Sequence, residues 1–106
     1  MPLPIFAVPV ALHLIAATVS SVPTLDVTPS CRAAAAAQVA VTDRMQTCVE
    51  NEQKTRDQLV QEWSKYTGAD RSRCVRTMLN FDPTYTELQT CLDIANEAKK
   101  LPEDLY

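Results

Sequence analysis

The chain has 106 residues, enough for one small domain, and its 10 basic and 13 acidic residues give a formal charge of −3. One glycine is too few for a glycine-rich phosphate loop, and the only histidine, His13, lies in an apolar N-terminal stretch. These counts argue against nucleotide binding through such a loop, against imidazole chemistry in the mature chain, and against nucleic acid as a partner.

The N-terminal segment, residues 1–21, has the pattern of a cleaved signal peptide, and no charged side chain precedes Asp26. Its apolar stretch, from Ile5 to Val19, is shorter than the ~20 apolar residues that cross a bilayer. Val19 and Ser21 are spaced as signal peptidase requires for a mature start near Val22, and an alternative cleavage point lies two residues earlier. We therefore expect a periplasmic or secreted protein whose mature form has no transmembrane span.

After the leader, residues 22–30 are predicted to form a short spacer that contains prolines, and residues 31–101 to form an all-α domain of three to four helices. Ser30 is a candidate N-cap for a first helix from Cys31 to about Val41. The alanines of this segment favour a helix but offer little apolar surface to bury. The first helix is therefore expected to depend on packing against its neighbours.

The second predicted helix begins at Thr42 or Asp43 and ends before Gly68, which we expect at its C-cap. Apolar residues recur along it at steps of three and four, as on one face of an amphipathic helix. Glu52 and Arg56 interrupt this face and are predicted to form an exposed ion pair one turn apart. The face consists of Met45, Cys48, Val49, Leu59, Val60, Trp63 and Tyr66.

A shorter third helix is predicted from Arg71 to about Leu79, with Asp70 as its N-cap, followed by a turn over residues 81–83. Thr84 and Glu87 then have the spacing of a capping box, which predicts the start of a fourth helix. Pro102 ends that helix and leaves residues 102–106 as a tail.

The four cysteines are expected to form structural disulfides, as is typical of small exported domains. Cys31 and Cys48 lie 17 positions apart, as do Cys74 and Cys91, whereas bridged Cα atoms are only ~4.4 to 6.8 Å apart. Each of these pairs therefore requires a chain reversal between its members. The predicted turn over residues 81–83 supplies one for Cys74 and Cys91. The nested pairing of Cys48 with Cys74 and Cys31 with Cys91 remains an alternative.

Other chemistry has little support in the sequence. Close cysteine pairs of the kind that bind zinc or carry out redox reactions do not occur, so we predict no metal site and no cofactor. The cluster of Arg71, Arg73 and Arg76 is interpreted as a solvated helix face. No nucleophile can be matched with a histidine base, and the chain is predicted not to be an enzyme.

Three segments carry a resemblance to known sequences. Residues 50–63, 70–74 and 83–92, the last reading Pro-Thr-Tyr-Thr-Glu-Leu-Gln-Thr-Cys-Leu, resemble a group of small, exported, uncharacterised helical proteins of alphaproteobacteria. The resemblance implies export and an all-helical fold. It implies no activity and no catalytic residue.

The function predicted from these observations is that of an exported binding or structural partner in the cell envelope, with an unknown envelope protein as its partner. The alternative is a carrier that holds a small apolar ligand in a pocket near Trp63 and Tyr85. Aromatic side chains of a small domain are more often its core, and we expect Trp63 in particular to be a core residue. The aromatic residues assigned to the core are Trp63, Tyr66, Phe81 and Tyr85.

Overall fold

A computed structural model describes residues 20–36 and 41–102. Most of the predicted signal peptide, residues 1–19, lies outside the described residues, as do residues 103–106 of the predicted tail. The described ranges contain helices and no strands, which confirms the all-α prediction. The elements are α1 (Thr28–Ala35), α2 (Val41–Glu62), a 3-10 turn (Trp63–Lys65), α3 (Gly68–Asn80) and α4 (Tyr85–Ala98).

The helices form two hairpins that meet through their longer members. Helix α1 packs against α2, α3 packs against α4, and α2 packs against α4. One disulfide joins the helices of each hairpin, Cys31 to Cys48 in the first and Cys74 to Cys91 in the second. The fold is therefore a disulfide-stapled helical bundle in which α2 and α4 are the central pair.

The core lies along α2 and α4 and extends to the segment before α1. Leu59 of α2 and Leu88 and Leu92 of α4 have no exposed surface. Val22 and Val27 pack into the same cluster, so the predicted spacer contributes to the folded domain. The buried apolar residues of the cluster are Val22, Val27, Cys31, Leu59, Trp63, Tyr66, Cys74, Val75, Met78, Tyr85, Leu88 and Leu92.

Helix α1 begins at Thr28, three residues before the predicted start, and Ser30 is not its N-cap. Pro29 lies in the first helical turn, where its missing N–H costs no hydrogen bond because that donor has no partner within the helix. The Ser30 hydroxyl instead donates to Asp82 Oδ1 at 2.7 Å. The helix ends at Ala35 and not at Val41, which is the first residue of α2.

Helix α2 buries a narrower face than its sequence predicts. Leu59 is fully buried, but Val49 and Val60 are 39% and 52% exposed. A residue adjacent in sequence points about 100° away around a helix, so Val60 leaves the face that Leu59 occupies. The assignment of these two valines to the buried face was wrong.

The start of α3 also differs from the prediction. Thr67 is the N-cap, and its side-chain oxygen accepts a hydrogen bond from Asp70 N at 3.1 Å. Gly68 is therefore the first residue of α3 and not the C-cap of α2, and Asp70 lies in the first turn. Thr67 and Asp70 have the same hydroxyl-to-carboxylate spacing that identified the start of α4, and this signal was missed.

The start of α4 is the predicted one, but only the N-cap half of the capping box is formed, because Thr84 N donates to Asp82 O at 2.7 Å and not to Glu87. Thr84 is the N-cap, and its Oγ1 accepts from Glu87 N at 3.1 Å. Helix α4 ends at Ala98, with Lys99 as C-cap. Among the helices of the described ranges, none is both long and apolar enough to cross a bilayer.

Candidate functional site

All four cysteines that were predicted as site residues form the two disulfides. The Cα atoms of each pair are 5.6 Å apart, and no cysteine is free. The two-hairpin pairing is present and the nested alternative is not. Within the described ranges, no three His, Cys, Asp or Glu side chains are grouped so that they could hold a metal ion.

Trp63 lies in the core, as predicted, with 6% of its surface exposed. Its ring meets that of Tyr66 edge-on, with the centroids 6.4 Å apart. The guanidinium of Arg71 lies over the indole at 5.6 Å from its centroid, and Arg71 Nε donates to Trp63 O at 3.0 Å. Arg71 at the start of α3 is thus fixed against the 3-10 turn by two contacts.

The small exposed part of Trp63 borders an open groove of about 470 Å³, which we call the Trp63 groove. Helix α2, the 3-10 turn, the start of α3 and residues 20–22, where the predicted leader meets the spacer, all contribute to it. The lining residues are Ser20, Ser21, Val22, Arg56, Val60, Trp63, Ser64 and Arg71.

Tyr85 does not share this groove. Its hydroxyl donates to Pro23 O at 3.1 Å and accepts from Leu25 N at 2.8 Å, which ties the segment before α1 to α4. Tyr85 borders a separate groove together with residues of that segment and of α2. The two aromatic residues proposed to share one ligand pocket therefore line different grooves.

The arginine cluster of α3 is divided by its contacts. Arg71 lies on Trp63, and Arg73 Nη2 pairs with Asp70 Oδ1 at 3.1 Å. Arg76 is exposed. The three guanidinium groups therefore do not converge on one site. Arg73 and Arg76 are exposed, as expected of a solvated helix face, whereas Arg71 packs on Trp63.

Glu52 is the polar residue whose role the sequence did not reveal. It is 6% exposed and does not form the predicted exposed pair with Arg56. Its Oε1 accepts from Tyr85 N at 2.6 Å and from Thr86 N at 3.4 Å, and its Oε2 accepts from the Thr86 hydroxyl. The available signal was the presence of an acidic residue within the apolar face of a helix. The sequence does not indicate that this residue reaches the N-terminus of α4.

Tyr66 holds a second polar contact between helices. Its hydroxyl donates to Asp93 Oδ1 at 2.8 Å and lies 3.4 Å from Glu62 Oε2. Burial, and then the nearby carboxylates of Asp93 and Glu62, raise the pKa of Tyr66 well above its ordinary value. The hydroxyl therefore keeps its proton and acts as a donor that links the end of α2 to α4.

Among the described residues, Phe81 is the most exposed large apolar side chain, at 83%, which corrects its assignment to the core. It follows α3 directly, and Leu79 beside it is 55% exposed. The next residue, Asp82, accepts the hydrogen bond from Ser30 of α1. The turn that carries Phe81 is thus anchored to the first hairpin while its ring points into solvent.

Comparison of this chain with protein-family models, with curated proteins and with solved structures finds no match in any of the three.

Proposed function

We propose that the protein is exported to the periplasm or the medium and acts there, without catalysis, as a binding or structural partner of another envelope protein. The single observation that carries the proposal is the 83% exposed ring of Phe81 on an anchored turn. Two disulfides in a small domain support an oxidising compartment, and the apolar leader supports export.

An exposed phenylalanine is apolar surface that a partner can cover. Burying such a side chain contributes ~1.5 to 3 kcal/mol, and aromatic residues are enriched at the centres of protein interfaces. The Phe81 turn is held at both sides, by Met78 O accepting from Phe81 N at 3.2 Å and by the bond between Ser30 and Asp82. A partner that covers Phe81 therefore does not have to order a loose loop, which lowers the entropic cost of binding.

Site-specific photo-crosslinking in living cells tests this proposal. A photoreactive phenylalanine analogue placed at position 81 is expected to give a discrete adduct with one envelope protein, in the exported fraction. The same analogue at Ile94, which is 63% exposed on α4, is the matched control and is expected not to give that adduct. Absence of an adduct at position 81, the same adduct from both positions, or a full-length chain confined to the cytosol contradicts the proposal.

A carrier of a small ligand is the second candidate, and the observation that favours it is the Trp63 groove. The volume of this groove falls within the range typical of small-molecule sites, ~300 to 1,000 Å³. Tyr85 lines a different groove. A ligand that fills the Trp63 groove is therefore expected to contact Trp63 and not Tyr85.

A further inference from the structure

The Trp63 groove differs in charge from four other grooves of the described chain. Two guanidinium groups, those of Arg56 and Arg71, line it together with no carboxylate. Each of those four grooves includes at least one Asp or Glu. In a chain with a formal charge of −3, this concentration of positive charge favours an anion at this place.

The two arginines have hydrogen-bonding capacity to spare. Arg71 uses Nε for the bond to Trp63 O, and its terminal nitrogens form no ion pair with any described residue. Arg56 forms no ion pair or side-chain hydrogen bond within the described ranges. A guanidinium presents parallel N–H donors that match the two oxygens of a carboxylate, so an anion in the groove gains bonds that the protein itself does not supply.

The remaining lining is apolar or hydroxylic. Val22, Val60 and the exposed part of Trp63 supply apolar surface, and Ser64 supplies a hydroxyl, whereas Ser20 and Ser21 belong to the predicted signal peptide. Trp63 Nε1 is buried and has no acceptor among the described residues, although buried indole N–H groups usually have one. The groove therefore combines the spare donors of Arg56 and Arg71 with apolar walls.

We propose that the Trp63 groove binds an organic anion, a carboxylate carried on an apolar body, with Arg56 and Arg71 holding the carboxylate. The proposal goes beyond the protein-binding function, which rests on Phe81 at the other end of α3 from Arg71. It also replaces an uncharged apolar ligand near Trp63 and Tyr85 by an anionic one beside Trp63 alone.

Intrinsic fluorescence provides the test, because Trp63 is the only tryptophan of the chain. The oxidised protein, produced from the full-length chain, is titrated with dodecanoate below its micellar concentration. The expected result is a saturable change in emission, with at least tenfold weaker binding of dodecanol and of dodecyltrimethylammonium. Equal binding of dodecanol, or no saturable change with dodecanoate, overturns the proposal.

Three charge-removing variants locate the site. Arg56→Gln and Arg71→Gln are each expected to weaken dodecanoate binding at least tenfold, whereas Arg76→Gln, on the exposed face of α3, leaves it within twofold. Because Arg71 also contacts Trp63, Arg56→Gln is the decisive variant, and the thermal midpoint of each variant is measured beside its affinity. If Arg76→Gln loses as much affinity for dodecanoate, the ligand is attracted by net charge alone and the groove is not its site. Unchanged binding in a folded Arg56→Gln variant also overturns the groove as the site.

Discussion

The carboxylate of Glu52, a residue of α2, caps the N-terminus of the neighbouring helix α4. A helix leaves its first four N–H groups without partners inside the helix. In α4, Glu52 accepts from those of Tyr85 and Thr86, and Thr84 Oγ1 accepts from that of Glu87. The fourth, that of the N-cap Thr84, donates to Asp82 O at 2.7 Å. The negative charge of Glu52 also lies at the positive end of the helix dipole, where it is favourable.

Removing this carboxylate is expected to destabilise the domain. In Glu52→Ala, two backbone donors at the start of α4 and the Thr86 hydroxyl lose their acceptor, and hydrogen bonds to charged groups are worth ~1.5 to 3 kcal/mol. We expect the free energy of unfolding to fall by about 2 to 3 kcal/mol, measured by urea denaturation of the oxidised protein.

Glu50→Ala is the matched control for this measurement. Glu50 lies on the same helix and is exposed, and among the described residues its side chain hydrogen-bonds only to Gln46. Exposed substitutions of this kind usually change stability by less than ~0.5 kcal/mol. If Glu52→Ala changes stability no more than Glu50→Ala does, Glu52 is not the cap that its geometry indicates.

This residue also shows what a sequence pattern leaves open. The spacing of Glu52 and Arg56 favours a pair on one helix, and that prediction was wrong. The actual partners, Tyr85 and Thr86, follow Glu52 by 33 and 34 positions and are reached only once α2 and α4 are docked. The periodicity of apolar residues along one helix does not indicate which residues of another helix it contacts.

At the scale of helices, one ion pair joins the two ends of the second hairpin. Asp70 lies in the first turn of α3, and Lys99 is the C-cap of α4. The antiparallel packing brings the two together as a salt bridge, so that each charge lies near the helix end whose dipole it complements. Hydrogen bonding to Lys99, against the opposing effect of burial, lowers the pKa of Asp70 below its ordinary value of 3.8.

This lowered pKa predicts how stability depends on pH. Since the carboxyl of Asp70 is more acidic in the folded than in the unfolded chain, its contribution is fully present above pH 3.8. The contribution is lost as the pH falls through the folded-state value. We expect Asp70→Asn to be about 1 kcal/mol less stable than the parent at pH 7, because Lys99 is half exposed and solvent weakens the pair. Urea denaturation between pH 7 and 2 should show this difference disappearing at the acid end.

Asp57→Asn serves as the control, because Asp57 is exposed on α2 and, among the described residues, its side chain hydrogen-bonds only to Gln53. It is expected to follow the parent at every pH. A difference between Asp70→Asn and the parent that persists at pH 2 assigns its effect to packing and contradicts the electrostatic account.

Helix boundaries were predictable where the signal was local. Thr84 and Glu87 marked the start of α4 correctly, because both partners of that cap are three residues apart. The start of α1 was missed because Pro29 was assigned to a spacer, although proline is acceptable in a first helical turn. The start of α3 was missed because the lone Gly68 was interpreted as the end of the preceding helix.

At the scale of the whole molecule, each hairpin carries its own disulfide, and the hairpins meet through α2 and α4. Closing a loop of 17 residues contributes ~3 kcal/mol in the chain-entropy model, while an entire small domain is stable by only ~5 to 15 kcal/mol. Each disulfide thus supplies a large fraction of the stability of the fold. The equal cysteine spacing predicted the two hairpins, but not the face on which they dock, which depends on Glu52 and on leucines distant in sequence.

The pairing of the cysteines is the most direct test of this architecture. Every cysteine lies on a different tryptic peptide: Cys31 on the one that ends at Arg32, Cys48 on residues 45–54, Cys74 on residues 74–76 and Cys91 on residues 77–99. Mass spectrometry of a tryptic digest made without reduction is expected to find the first joined to the second and the third to the fourth. Peptide 45–54 joined to peptide 74–76 would contradict the two-hairpin fold.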